Sequence, residues 1–152
     1  MAGTDPRRLG VRGRSWARRL ALQALYQWQL NGQPLEELAQ QFSDDHDTRR
    51  VDMDYFRELL LGSRRHAEAI EATLAPCLDR PLAQVDPVER AILWIGGYEL
   101  AHRLDIPYRV ILNEGVELAK AFGAEQSHRF INGVLDQAAR QWRVHEVKSP
   151  AP

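Results

Sequence analysis

The stretch Asp86–Leu104, DPVERAILWIGGYELAHRL, constrains the fold more than any other part of the chain. Beyond Val88 its apolar residues, including Ile92, Leu93, Trp94, Ile95, Tyr98, Leu100 and Ala101, fall on nearly every face of a helix and leave no solvated side. Such a helix is stable in water only when other elements surround it, so the pattern predicts the central buried helix of the molecule. Its start is punctuated by Asp86 at the N-cap, Pro87 at the first helical position and Glu89 at the third, a capping-box arrangement. The pair Gly96-Gly97 inside it costs about 1 kcal/mol per glycine relative to alanine, which points to a second helix crossing closely there.

The flanking segments supply helices to surround it. Ser15 is expected to cap a helix with Ala17, Ala21, Ala24, Leu25 and Trp28 on one stripe, ending at Asn31-Gly32. Pro34 opens a short one through Leu35, Leu38, Ala39 and Phe42. Asp52 or Asp54 caps a third, whose stripe of Phe56, Leu59, Leu60, Ser63, Ala67, Ile70 and Leu74 reads as continuous to about Leu78. Pro107 then begins a helix with Ile111, Gly115, Leu118, Ala119 and Phe122 at apolar spacing, and Gly123 stops it. After the FGAEQS turn, Phe130, Ile131, Val134, Leu135, Ala138, Ala139 and Trp142 form one apolar face, opposite Gln126, Arg129, Gly133, Asp136, Gln137 and Arg140. No segment alternates with the period of a strand. The expectation is an all-α chain of six to seven helices, two small three-helix bundles sharing the Asp86–Leu104 region as one core.

Length and charge refine this. At 152 residues the chain buries a core without disulfides, and its single cysteine, Cys77, has no partner for one. Neither a secretory apolar region nor a membrane-spanning run is present, so the expected location is the cytoplasm. Six of the 20 basic residues but one of the 21 acidic ones fall within residues 1–19, a local charge of +5 against −6 for the remainder. Residues 1–13 are read as a disordered arginine-rich arm, 14–142 as the helical domain and 143–152 as a disordered tail. Arg14, Arg18 and Arg19 are placed in or just before the first turn of the first helix, where cations oppose the macrodipole, and such a local cost suggests an anionic partner. Basic arms of this kind usually meet phosphate; solvated arginines are the alternative.

Catalytic patterns are missing. The chain has no GxGxxG, GxxxxGK, HExxH, CxxC or GxSxG, and its five histidines form no pair at i,i+4 spacing. The DDHDTRR run after Phe42 lacks the glycine and terminal glutamate of a calcium loop. The chain is therefore expected to be no enzyme and to hold no metal or cofactor.

Four blocks, RRLALQALYQWQL at 18–30, DYFRELLLG at 54–62, DPVERAILWIGGYEL at 86–100 and IPYRVILNEGVELAKAFGAEQSHRFINGVLDQAA at 106–139, together resemble the NusB family of transcription antitermination factors. The resemblance covers about Arg14 to Ala139, and the last block, with its PY, NE, ELAK, FG and FINGVLD elements in order, is highly specific. It implies two three-helix bundles and binding of boxA-type single-stranded RNA from ribosomal RNA operons together with ribosomal protein NusE, within the transcription elongation complex. Position by position it implies RNA contacts from Arg14 and Arg18, and from Phe122, Gln126, Arg129 and Phe130. Trp16 and Arg19 stand where other members commonly carry different residues, Arg19 being included in the RNA surface. Gln126 stands where an acidic residue is common. Tyr26 and Glu89 match the NusE-facing positions. Bland readings stay open beside these: Tyr26 packs its ring, Glu89 caps its helix, and Phe130 and Phe122 belong to the core. A function of another class, a helical protein-interaction adaptor or homodimer without direct RNA binding, also fits the composition.

Overall fold

The computed structural model describes residues 6–148, with side chains from residue 9 onward. Among these residues the chain is all-α, with eight α-helices and two single 3₁₀ turns. No helix among them is long and apolar enough to cross a membrane. Two compact units meet in the chain between Arg65 and His66.

The first unit contains α1 (Pro6–Asn31), α2 (Leu35–Asp45) and α3 (Met53–Arg65), each packed on the other two. Ala17, Ala21, Ala24 and Leu25 of α1 are fully buried, as are Leu38 and Ala39 of α2 and Phe56, Leu59 and Leu60 of α3. Helix α1 starts earlier than its apolar stripe indicates. The chain from Pro6 is helical except at Gly10, whose backbone (φ 52°, ψ −139°) is one that glycine adopts without steric cost. Ser15 is therefore inside α1 and not at its N-cap, and the expected arm is helical over residues 6–13; residues 1–5 lie outside the described part. The physical reason is that arginine is a strong helix former and only Gly10 interrupts the run. The loop before α3 also holds this end, since the Asp52 N–H donates to the Gly13 carbonyl at 3.1 Å. Asp52 is the N-cap of α3, its carboxylate accepting from the Tyr55 N–H at 3.0 Å. The stripe expected to run on to Leu78 breaks at His66 (φ −104°, ψ 20°).

The second unit is built on α5 (Pro87–His102), the helix that the sequence marks as buried all round. Every residue from Ala91 to Leu100 is buried. Around it pack α4 (Ala67–Leu74), α6 (Tyr108–Phe122) and α7 (Ser127–Trp142). Asp86 caps α5 as expected, accepting from the Val88 and Glu89 N–H groups at 3.0 and 3.2 Å. The glycine pair is a crossing point: a Cβ on Gly96 would stand 2.8 Å from both Leu135 methyls, and one on Gly97 2.8 Å from Ile70 Cγ2. Leu135 of α7 thus seats directly on the α5 backbone.

The region expected as a disordered tail begins instead with a side chain that donates five hydrogen bonds. Arg143 is buried, and it donates to the carbonyls of Leu100 (2.8 Å), Ile106 (2.9 Å), Glu99 (3.1 Å) and Arg103 (2.8 Å) and to Glu146 Oε1 (2.7 Å). A short helix α8 (Val144–Lys148) follows, from which Glu146 Oε2 accepts the Tyr108 N–H at the start of α6, 2.8 Å. Periodicity could not show this, because one arginine satisfying backbone carbonyls leaves no repeat in sequence. Residues 149–152 lie outside the described part.

Candidate nucleic-acid interface

In the first unit three arginines of α1 lie over two aromatic rings. Arg14 and Arg18 place their guanidinium carbons 5.3 and 5.6 Å from the centroid of the same Tyr55 ring, and Arg19 lies 5.2 Å from the ring of Trp16. Their exposures differ decisively. Arg14 and Arg19 are half-buried and Trp16 is 40% exposed, but Arg18 is 2% exposed. Arg18 is thus enclosed against Tyr55 and offers little surface to a ligand from where it stands. The macrodipole argument holds for Arg14 alone, which lies within the first turn after the kink at Gly10, whereas Arg18 and Arg19 lie beyond that turn and out of reach of a terminal dipole. Tyr26 is 38% exposed, a ring available to a partner as well as to packing.

In the second unit the FGAEQS turn brings its residues to one corner. Gly123 ends α6 with its N–H on the Ala119 carbonyl at 2.8 Å, in an ordinary extended conformation, not the left-handed one usual for a glycine stop. Glycine is needed for space: a Cβ would meet Ser127 Cβ at 2.8 Å and the Ala119 oxygen at 2.9 Å. That tightness lets α7 start at Ser127 with Gln126 as its N-cap residue. Gln126 and Arg129 are exposed, while Phe122 and Phe130 are half-buried. Phe130 is covered by Arg80, whose guanidinium lies 4.7 Å from the ring centroid.

Arg80 also links this corner to Glu89. It bonds Asp79 at 2.6 Å and lies 3.8 Å from Glu89 Oε1. Glu89 is 8% exposed, so the reciprocal arm of a capping box is replaced by an ion pair with Arg80, and little of the carboxylate is offered to a partner. Arg80 carried no signal in sequence, being a lone arginine in a loop before a proline. Nor did Arg49 and Arg50 stand out as more than a solvated pair after α2.

Comparison with known proteins identifies the family. The model of the NusB family matches residues 15–140. The chain belongs to the NusB family. A transcription antitermination protein NusB of Nitrosococcus oceani is 51% identical over 138 residues, covering 91% of this chain and 93% of its own. That of Idiomarina loihiensis is 49% identical over 127 residues, with 84% and 91% covered. Among solved structures, a NusB described as an antitermination factor in complex with NusE and double-stranded RNA superposes with a TM-score of 0.76 at 26% identity, covering 86% of this chain and 98% of the other. The solution structure of NusB from Aquifex aeolicus gives 0.74 at 27% identity, with 93% and 97% covered.

Proposed function

We propose that this NusB family member is a transcription antitermination factor that binds boxA-type single-stranded RNA of ribosomal RNA operons together with ribosomal protein NusE, and acts on the transcription elongation complex. The observation that carries this reading is near-50% identity to antitermination proteins over more than four fifths of both chains. The solved relative in complex with NusE and RNA supplies the partners. The work is recognition, without bond-making. Arg14 and Arg19 supply salt-sensitive phosphate contacts and flat guanidinium faces, and Gln126, Arg129 and Phe122 read bases splayed from a strand. Tyr26 meets NusE through its ring and hydroxyl; Glu89 acts there through the position of Arg80. The protein works in the cytoplasm, where RNA polymerase transcribes.

Titration of labelled boxA RNA at two salt concentrations, with and without NusE, tests this. Tighter RNA binding in the presence of NusE, with NusE equally tightened by RNA, is expected from a joint surface. Because the solved relative carries double-stranded RNA, a duplex of the same sequence belongs in the titration, and the single strand is expected to bind more tightly. Binding of NusE without any RNA affinity would instead make the chain a protein adaptor.

A further inference from the structure

The loop between α2 and α3 folds back on the start of α1 and encloses an open groove of about 680 Å³. Arg12 and Trp16 line it from α1, Arg49 and Arg50 from the loop, with Ser15 between them. Arg12 and Arg50 are exposed. Arg49, also exposed, pairs with Asp47, its Nε and Nη2 donating to the two carboxylate oxygens at 3.0 and 2.8 Å. Three cations thus face one carboxylate. The other nearby carboxylates are engaged or set on α2: Asp52 caps α3, Asp44 accepts from Gln40 at 2.9 Å, and Asp45 closes α2. The Asp52 N–H bonds the Gly13 carbonyl at 3.1 Å, which joins the end of the loop to α1 beside Arg12 and Arg14.

Charge alone fits any polyanion, and the aromatic group decides among them. Trp16, 40% exposed, presents an indole at the edge of the groove, with the Arg19 guanidinium over its ring at 5.2 Å from the centroid. A flat aromatic surface next to several guanidinium groups matches a nucleobase next to its phosphates, and single-stranded binders are built from that combination. A duplex keeps its bases stacked inside and offers none to an indole. An acidic peptide has the charge but no planar group that calls for Trp16. The volume is that of an ordinary small-ligand site, enough for one or two nucleotides.

We infer that this groove is a second single-stranded RNA subsite, in which Arg12, Arg49 and Arg50 hold the phosphates and Trp16 stacks one base, extending the strand beyond the nucleotides held by Arg14 and Arg19. The inference rests on the reading of the chain as an RNA-binding factor.

Fluorescence anisotropy of a labelled single-stranded boxA RNA tests it, at several salt concentrations, on the full chain and on Arg12→Ala/Arg50→Ala, Trp16→Ala, Trp16→Phe and Arg14→Ala. The double arginine variant is expected to bind more weakly, with the slope of log affinity against log salt shallower by about 1.4, two phosphates at about 0.7 each. Trp16→Ala is expected to lose about 5- to 150-fold with its slope unchanged, while Trp16→Phe keeps most of the affinity. Unfolding curves of the variants confirm that they are folded; Arg50→Glu, on an exposed loop residue, is the second variant if the double one is not. If Arg14→Ala weakens binding while all groove variants match the parent in affinity and slope, the groove is no subsite and the RNA reading stands. If the parent binds no single-stranded RNA, the RNA reading fails and the groove assignment fails with it. Poly-glutamate titrated in parallel is expected to be insensitive to Trp16→Ala; loss of poly-glutamate binding without loss of RNA binding in the groove variants would assign the groove to an acidic protein and overturn the inference.

Discussion

Replacing Arg143 by methionine removes a charge and five donated hydrogen bonds while keeping most of the apolar stem. The carbonyls concerned belong to Glu99 and Leu100 in the last turn of α5, to Arg103 at its C-cap and to Ile106 just beyond. Helix α5 ends without a left-handed glycine, since its C-cap Arg103 sits at φ −116°, so the guanidinium supplies what a glycine motif usually does. A hydrogen bond involving a charged group contributes about 1.5–3 kcal/mol, but the bonds of one guanidinium are not additive, and methionine recovers the desolvation cost of the cation. Removing one partner of a buried charged pair costs about 3–5 kcal/mol, and its lower half, about 3–4 kcal/mol, is expected here because Glu146 retains access to water. Glu146→Gln keeps an oxygen for the Tyr108 N–H and should cost only about 1 kcal/mol. Urea unfolding followed by far-ultraviolet circular dichroism measures both. A loss below 1 kcal/mol in Arg143→Met, or equal losses in the two variants, would refute the view that Arg143 caps α5.

Three further outcomes are expected. Gly96→Ala gains about 1 kcal/mol of helix propensity but drives a methyl against Leu135 at 2.8 Å, a net loss of about 1–2 kcal/mol, whereas Gly133→Ala, which meets nothing within 4 Å, should stabilise; thermal unfolding shifts of the same sign would contradict this. Arg18→Met should lower stability by about 1–2 kcal/mol by removing a buried cation from the Tyr55 ring, while leaving the salt dependence of RNA binding close to that of the parent; a slope change like that of Arg14→Ala would put Arg18 on the RNA. The His102 ring packs 4.2 Å from that of His66 and 5.1 Å from that of Tyr98, and partial desolvation, then the His66 charge, lower its pKa below the usual 6.5. The unfolded chain then binds more protons between the two pKa values, so this contribution is present above pH 6.5 and is lost as pH falls through the folded pKa. His102→Gln should flatten the acid limb of stability against pH, and an unchanged limb would remove His102 as its source.

The central helix was legible in the residues because an all-round apolar pattern has one physical outcome, and Asp86 and the Gly96-Gly97 pair were found capping and crossing as the pattern requires. The all-α class followed for the same reason, and so did the tight corner at Gly123, although the need there is space for Ser127 and not a left-handed backbone. Exposure was not legible. Arg14, Arg18 and Arg19 are one residue type on one helix, and only packing against Tyr55 made Arg18 a buried support while its neighbours stay accessible. Likewise Glu89 read as half of a capping box until Arg80, distant from any motif, was found opposite it and over Phe130. Arg143 is the extreme case, since its four carbonyl partners precede it by 37 to 44 residues and carbonyl groups have no sequence signature. Periodicity and punctuation report interactions within one helix, which local sequence determines; a lone side chain that satisfies distant backbone or covers a distant ring is decided by tertiary packing alone.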